Sequence, residues 1–197
     1  ISDGSIGWQH HTSLLQNISL HMNAKDRIAL CGDNGCGKST LIKAILNNSE
    51  VIKTGHWMMP KPMNIGYLDQ HYATLDPEKT VLDTLSLLVP YWPFIKVRKH
   101  LNDFLFRKNE EINVKTSQLS GGEKVRLCLA QIAACPPQLL ILDEITNNLD
   151  LETKKHVIQV LQDYPGAMLL ICHEDDFLNQ LEITRCYHIL NNSLIQN

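Results

Sequence analysis

The chain has 197 residues, 44% hydrophobic and 20% charged, with a formal net charge of −3. This composition excludes a wholly disordered, collagenous or disulfide-scaffold chain, and the length suits one large domain or two small lobes around a shared core. The slight acidic excess gives no bulk-charge argument for a nucleic-acid partner, although a local basic face stays open.

Taken in chain order, Arg27 to Cys31 (RIALC) is a short apolar run ending at a Gly-rich turn, which predicts a buried strand. Lys38 to Leu46 has helical spacing of apolar residues, and Asn64 to Leu68 reads as a second strand. Two helical stretches between Thr80 and Arg107 are separated by Pro90 and Pro93. Ser120 to Ala134 is a helix stopped by Pro136-Pro137. Leu139 to Leu142 predicts a strand, Leu151 to Gln162 a helix and Met168 to Cys172 a strand. Thr184 to Leu190 and Ser193 to Ile195, joined at Asn191-Asn192, read as a terminal hairpin. Fully apolar strands alternating with helices predict an α/β fold with a parallel sheet covered on both faces. The all-helical stretch from about Thr80 to Ala134 looks like a separate lobe.

No apolar run approaches the ~20 residues that span a bilayer, and no signal peptide is legible at the start. The cysteines are Cys31, Cys36, Cys128, Cys135, Cys172 and Cys186, none in a Cys-x-x-Cys pair. Zinc and dithiol motifs are therefore absent from the local sequence, and the reading is reduced, mostly buried thiols in a cytosolic protein.

Gly32-Asp33-Asn34-Gly35-Cys36-Gly37-Lys38-Ser39 matches G-x-x-x-x-G-K-[ST] between a predicted strand and a predicted helix, the context that this motif requires. Its glycines let backbone N–H groups converge on phosphate oxygens, and the helix start adds positive potential. Lys38 is the partner of the β/γ-phosphates, Ser39 offers a hydroxyl to Mg²⁺ and Thr40 a second polar contact. Leu139 to Glu144 (LLILDE) is an apolar strand ending in two acids. The carboxyl end of a parallel sheet is where ligands bind, so Asp143 is a candidate Mg²⁺ ligand and Glu144 a candidate group for polarising the attacking water. Ser120 and Glu123 have capping-box spacing, yet Gly121 and Gly122 are poor choices for a first helical turn. Close approach of backbone to an anion would explain them, and capping and phosphate contact by Ser120 are compatible in turn.

Together the phosphate loop, Gln70, Leu119-Ser120-Gly121-Gly122-Glu123, LLILDE at 139–144 and His173 resemble the nucleotide-binding domain of ABC ATPases, from about Trp8 to Ile189. The resemblance implies a P-loop NTPase (RecA-like) core with a mainly parallel sheet, an antiparallel β portion at the N-terminus and an inserted helical subdomain. Residues 1–75 and 136–197 would form the core, and about 76–135 the helical part carrying the signature. It further implies Gln70 as the glutamine reporting on Mg²⁺ and nucleotide, His173 as the γ-phosphate switch and Asp150 at a domain interface. Trp8, upstream of the loop at a spacing like the family's, is the candidate adenine-stacking residue, with His10 and His11 weaker.

Tyr67-Leu68-Asp69-Gln70-His71, Glu123-Lys124-Val125-Arg126 and Thr146-Asn147-Asn148-Leu149-Asp150 resemble the ABC-F subfamily, whose soluble members act on ribosomes. Ile145 replaces the usual Pro and Asn148 the usual His, and neither change removes a metal or water ligand. The start at Ile1, the single ABC domain and the short stretch from Gln70 to Ser120, without room for an arm insertion, together read as the second ABC domain of a longer protein. The resemblance implies ATP and Mg²⁺ as ligands. It also implies head-to-tail pairing with a second ABC domain, in the same full-length chain or in a homodimer. A cytoplasmic location without membrane insertion follows from the same likeness. The ribosome or rRNA is a candidate partner, for which Lys96, Arg98, Lys99, Arg107 and Lys108 offer a basic face; a solvated helix face diluted by Glu110 and Glu111 is the alternative. Two other functions stay open: the ATPase subunit of a membrane transporter, and a nucleotide-binding interaction module with little turnover.

Overall fold

A computed structural model describes residues 1–8, 14–69, 72–146, 149–172 and 174–196. The chain opens with β1 (Ser2–Trp8), β2 (Leu15–Ile18) and β3 (Arg27–Cys31), followed by α1 (Lys38–Ile45), β4 (Val51–His56) and β5 (Ile65–Leu68). Four helices come next: α2 (Val81–Leu88), α3 (Phe94–Asp103), α4 (Asn109–Ile112) and α5 (Gly121–Ala134). Then alternate β6 (Leu139–Asp143), α6 (Leu151–Gln162), β7 (Ala167–Ile171) and α7 (Asp175–Gln180), before the hairpin β8 (Arg185–Leu190) and β9 (Ser193–Gln196).

The described strands form one sheet in the order β4-β1-β2-β9-β8-β3-β7-β6-β5. β3 pairs in parallel with β7 and β8, and β6 with β7. β1 pairs antiparallel with β2 and β4, giving the N-terminal antiparallel portion. The α/β class, the mainly parallel P-loop core and the run of helices inserted between β5 and β6 are as the sequence led us to expect.

Chemistry explains the elements. Every residue of β7 is buried, as are Leu139 to Leu142 of β6, because a parallel strand covered on both faces has no solvent side. Ile28 and Leu30 of β3 pack with Leu41 and Ile42 of α1 and with Ile141, Leu169 and Ile171 in one apolar cluster. β8 and β9 are joined by Asn191 and Asn192, both with positive φ (48° and 60°), the conformation of a tight two-residue hairpin turn.

The chain divides into two compact units, Ile1–Tyr67 with Gln138–Glu144 and Gly166–Asn197, and Leu68–Pro137 with Ile145–Pro165. The sheet and α1 belong to the first. Helices α2 to α6 belong to the second, where α6 packs against α5. In this second unit the His156 ring donates through Nε2 to the Asp103 carbonyl at 2.9 Å, while its buried Nδ1 finds no hydrogen-bond partner among the described residues. Burial, and then the nearby Arg126 charge, hold the His156 pKa below the ordinary histidine value. The folded state thus resists a proton that the unfolded chain accepts. This contribution is complete above pH ~6.5 and is lost as pH falls through the lower folded value. Thermal melts at pH 7.5 and 5.5 are expected to show a smaller acid loss in His156→Gln than in the wild type.

All six cysteines are free: Cys128 and Cys172 are buried, Cys135 is exposed and the others are half-buried. Burial, then a hydrogen bond with Cys186, pushes the Cys31 thiol up to about 12. Among the described residues no helix is long and apolar enough to cross a membrane.

Candidate functional site

The phosphate loop joins β3 to α1, and its backbone takes conformations that only glycine tolerates easily. Gly32 has φ +146°, and a Cβ there would meet Cys36 Sγ at 2.8 Å and the Ile189 carbonyl oxygen at 3.3 Å. Gly37, the N-cap of α1, has φ +116°, and its Cβ would press on Leu15 at 3.3 Å. Among the described residues no side chain caps α1 at its start, which leaves its first N–H groups to other acceptors. Lys38 is 6% exposed. Its Nζ reaches back across the loop and donates to the carbonyls of Gly32 (2.6 Å) and Asp33 (3.1 Å). Both acceptors are neutral, so a nearly buried ammonium is held by groups that do not cancel its charge. An anionic ligand completes that balance, and a bare helix N-terminus beside it suits phosphate oxygens. Asp33, Asn34, Gly35 and Ser39 are exposed, Cys36 is half-buried and Thr40 is buried.

Asp143 ends β6 in register with Ile171 of β7, and β7 lies beside β3. The phosphate loop and the Asp143-Glu144 pair therefore leave the same carboxyl edge of one parallel sheet. Asp143 Oδ2 accepts a hydrogen bond from the Tyr67 hydroxyl at 3.2 Å. Glu144 has φ 51°, a left-handed conformation that costs a non-glycine residue energy, and its N–H donates to the Ile171 carbonyl at 2.9 Å. The bend turns the chain off the sheet immediately after Asp143. The Asp143 carboxylate and the Ser39 hydroxyl are hard oxygen donors of the kind Mg²⁺ takes.

The second unit holds the serine-glycine turn. Ser120 Oγ accepts from the Glu123 N–H at 3.3 Å, and Glu123 Oε2 accepts from the Ser120 N–H at 2.8 Å, a closed capping box. Gly122 lies against the start of α6: a Cβ there would be 3.4 Å from Thr153 Oγ1 and 3.6 Å from Asp150 Oδ2. At Gly121 a Cβ would meet nothing within 4 Å among the described residues. Asp150 caps α6, accepting from the Thr153 N–H at 2.8 Å and its hydroxyl at 2.7 Å. Those bonds hold its carboxyl below the usual carboxylate range.

Trp8 is half-buried at the end of β1, paired with Val51 of β4, and the Lys43 ammonium of α1 lies 5.1 Å from its ring centroid. The structure thus brings the phosphate loop, Asp143 and Glu144 to one sheet edge, and Ser120, Gly121, Gly122 and Asp150 together within the second unit. Gln70 and His173, with His10, His11 and Asn148, lie outside the described residues. Tyr67 is a site residue that sequence reasoning missed. Its signal was its place near the end of β5, three residues before Gln70 in the sequence, which pointed to the motif but not to the Asp143 carboxylate.

The ABC transporter family matches residues 15–147. The chain is 39% identical over 179 residues to the ATP-binding protein Uup of Haemophilus influenzae, covering 89% of this chain and 27% of that protein. It is 38% identical to ATP-binding protein Uup of Escherichia coli, covering 88% of this chain and 28% of the relative. It is 34% identical to ABC transporter F family member 5 of Arabidopsis thaliana, covering 85% and 24%. The chain thus spans between 24% and 28% of the length of these relatives. A bacterial Atm1-family ABC exporter with ATP bound shares the fold at TM-score 0.79 and 17% identity, over 98% of this chain and 37% of that one.

Proposed function

The chain belongs to the ABC transporter family of ATP-binding domains, with relatives in its F branch, and from that premise we propose that it binds and hydrolyses Mg·ATP as one half of a nucleotide-dependent pair. The loop from Gly32 to Thr40 takes the phosphates, with Lys38 on the β/γ oxygens. Ser39 and Asp143, with Gln70, hold the magnesium ion, which neutralises charge on the phosphate oxygens when bound. Glu144 accepts a proton from the attacking water, His173 senses the γ-phosphate and Trp8 stacks on adenine.

One observation carries this reading: the nearly buried Lys38 ammonium has carbonyl partners in a loop that shares a sheet edge with Asp143 and Glu144. Titration calorimetry with ATP on the wild type and on Lys38→Ala is its test, and equal affinity would overturn it.

The second half of the site comes from the Ser120-Gly121-Gly122 turn of another ABC domain, packed head to tail, with Asp150 at the interface. Gly121 supports this. It costs the helix stability, yet among the described residues nothing lies within 4 Å of where its Cβ would be, so its use lies in an approaching ligand. Gly121→Ala is therefore expected to raise the melting temperature by about 1–3 °C while lowering ATP turnover. A variant that is both more stable and fully active would refute the role of this turn.

Residues 1–75 and 136–197 act as the nucleotide-binding core and about 76–135 as the helical part that presents the signature. The chain serves as the second ABC domain of a longer cytoplasmic protein that works on the ribosome. Co-sedimentation with ribosomes in the presence of ATP supports that partner, and co-purification with a membrane permease would replace it with a transporter.

A further inference from the structure

We propose that Cys31, Cys186 and His188 form a binding site for a thiophilic metal ion, with zinc(II) as the fitting species. The site is independent of the nucleotide reading. It arises from strand pairing: in the parallel register of β3 and β8, Ala29 lies opposite Cys186 and Cys31 opposite His188. Side chains alternate along a strand. Ile28, Leu30, Tyr187 and Ile189 enter the apolar cluster on the α1 side, so Cys31, Cys186 and His188 leave the sheet on its other face. There Cys31 Sγ lies 3.2 Å from Cys186 Sγ, and Cys186 Sγ lies 3.4 Å from His188 Nε2. All three donor atoms fall within 4.8 Å of one another.

A tetrahedral zinc ion with Zn–S of about 2.3 Å and Zn–N of about 2.0–2.1 Å spaces its ligand atoms by about 3.4–3.8 Å. The Cys31–Cys186 pair would open by about half an ångström and the Cys186–His188 pair by about 0.2 Å, while Cys31 and His188 start within 4.8 Å and settle into the same range. Two thiolates and one imidazole leave a fourth position for a solvent water, and all three residues are half-buried, so an ion can enter. Sulfur ligands select zinc over magnesium, which takes oxygen. On binding, each S–H bond is replaced by an S–Zn bond and both thiol protons pass to solvent, so the site's charge falls by two as the ion brings two. Asp175 lies within electrostatic reach of Cys31 and favours a cation there, while Lys38 opposes it. The site stands directly before the phosphate loop, since Gly32 follows Cys31, but shares no ligand with it.

The test is a cobalt(II) titration of the reduced, nucleotide-free chain, with ATP left out because it chelates metal. One equivalent of Co²⁺ is expected to give thiolate-to-cobalt charge-transfer absorption that Zn²⁺ abolishes and excess Mg²⁺ does not. Cys186→Ser should remove the band, His188→Ala should weaken binding at least about ten-fold, and Cys135→Ser should leave it unchanged. Since a substitution in β8 can cost the fold, the wild type is also alkylated with and without Zn²⁺. Zinc should protect Cys31 and Cys186 but not Cys135, as mapped by mass spectrometry. Absence of the cobalt band, or its survival in Cys186→Ser, or alkylation of Cys31 unaffected by zinc, overturns the assignment.

Discussion

In Glu144→Gln, ATP turnover is expected to fall about 100-fold or more, with ATP affinity retained and the closed pair accumulating. Glu144 follows the last residue of β6 in a left-handed conformation, with its N–H fixed on the Ile171 carbonyl. That backbone bond does not depend on the side chain, so the amide should occupy the same place. What changes is chemistry: an amide cannot take the proton from the attacking water. In the proposed mechanism binding uses the loop and Lys38, which the substitution leaves alone. Phosphate release, equilibrium ATP binding and light scattering on one preparation separate these outcomes. Turnover at the wild-type rate would remove Glu144 from the mechanism, and lost binding would recast it as a ligand of the nucleotide.

Lys38→Ala is the second large effect. Hydrogen bonds to a charged group contribute about 1.5–3 kcal/mol each, so losing the ammonium should weaken ATP binding by about ten-fold to more than a hundred-fold. The stability change should be small by comparison, because the two carbonyls freed on Gly32 and Asp33 line a loop whose neighbours Asn34 and Gly35 are exposed to water. Circular dichroism then separates misfolding from lost binding. Lys38→Arg is a useful companion: it keeps the charge but not the compact head that fits beside two carbonyls, and is expected to fall between the wild type and the alanine variant.

The parallel core was legible because its strands are continuous apolar runs. RIALC and the helix over 151–162 have the bounds read from sequence, and β6 runs only one residue further, to Asp143. The antiparallel hairpin of β8 and β9 was read from its Asn191-Asn192 turn, but β1, β2 and β4 were not placed from residues. β1 carries Ser, Asp and Gly beside its apolar positions, and its register shifts twice across its pairings with β2 and β4. Such strands face solvent on one side, and β1 takes β4 as a partner far along the chain, so no local pattern marks them. At the site, the phosphate loop and the acids after β6 were legible as motifs because their chemistry dictates residue types at fixed spacing. The Tyr67 bond to Asp143 and the bent backbone of Glu144 depend on tertiary geometry, whereas the cap of α6 by Asp150 is local, and an Asp directly before a helix was a signal the reading passed over. Tertiary geometry likewise governs Cys31 and Cys186, which local spacing declares unrelated and which β-sheet register brings into contact.

In the proposed mechanism a working ATP site is built from the phosphate loop of one domain and the serine-glycine turn of another. Mixing two inactive variants tests it most directly. Lys38→Ala spoils the loop and keeps the turn, and Gly121→Trp spoils the turn and keeps the loop. At a concentration where the wild-type chain hydrolyses ATP, an equal mixture should recover roughly a quarter of wild-type activity, since half of the pairs are mixed and each mixed pair holds one intact site of two. A mixture as inactive as its components would contradict the account.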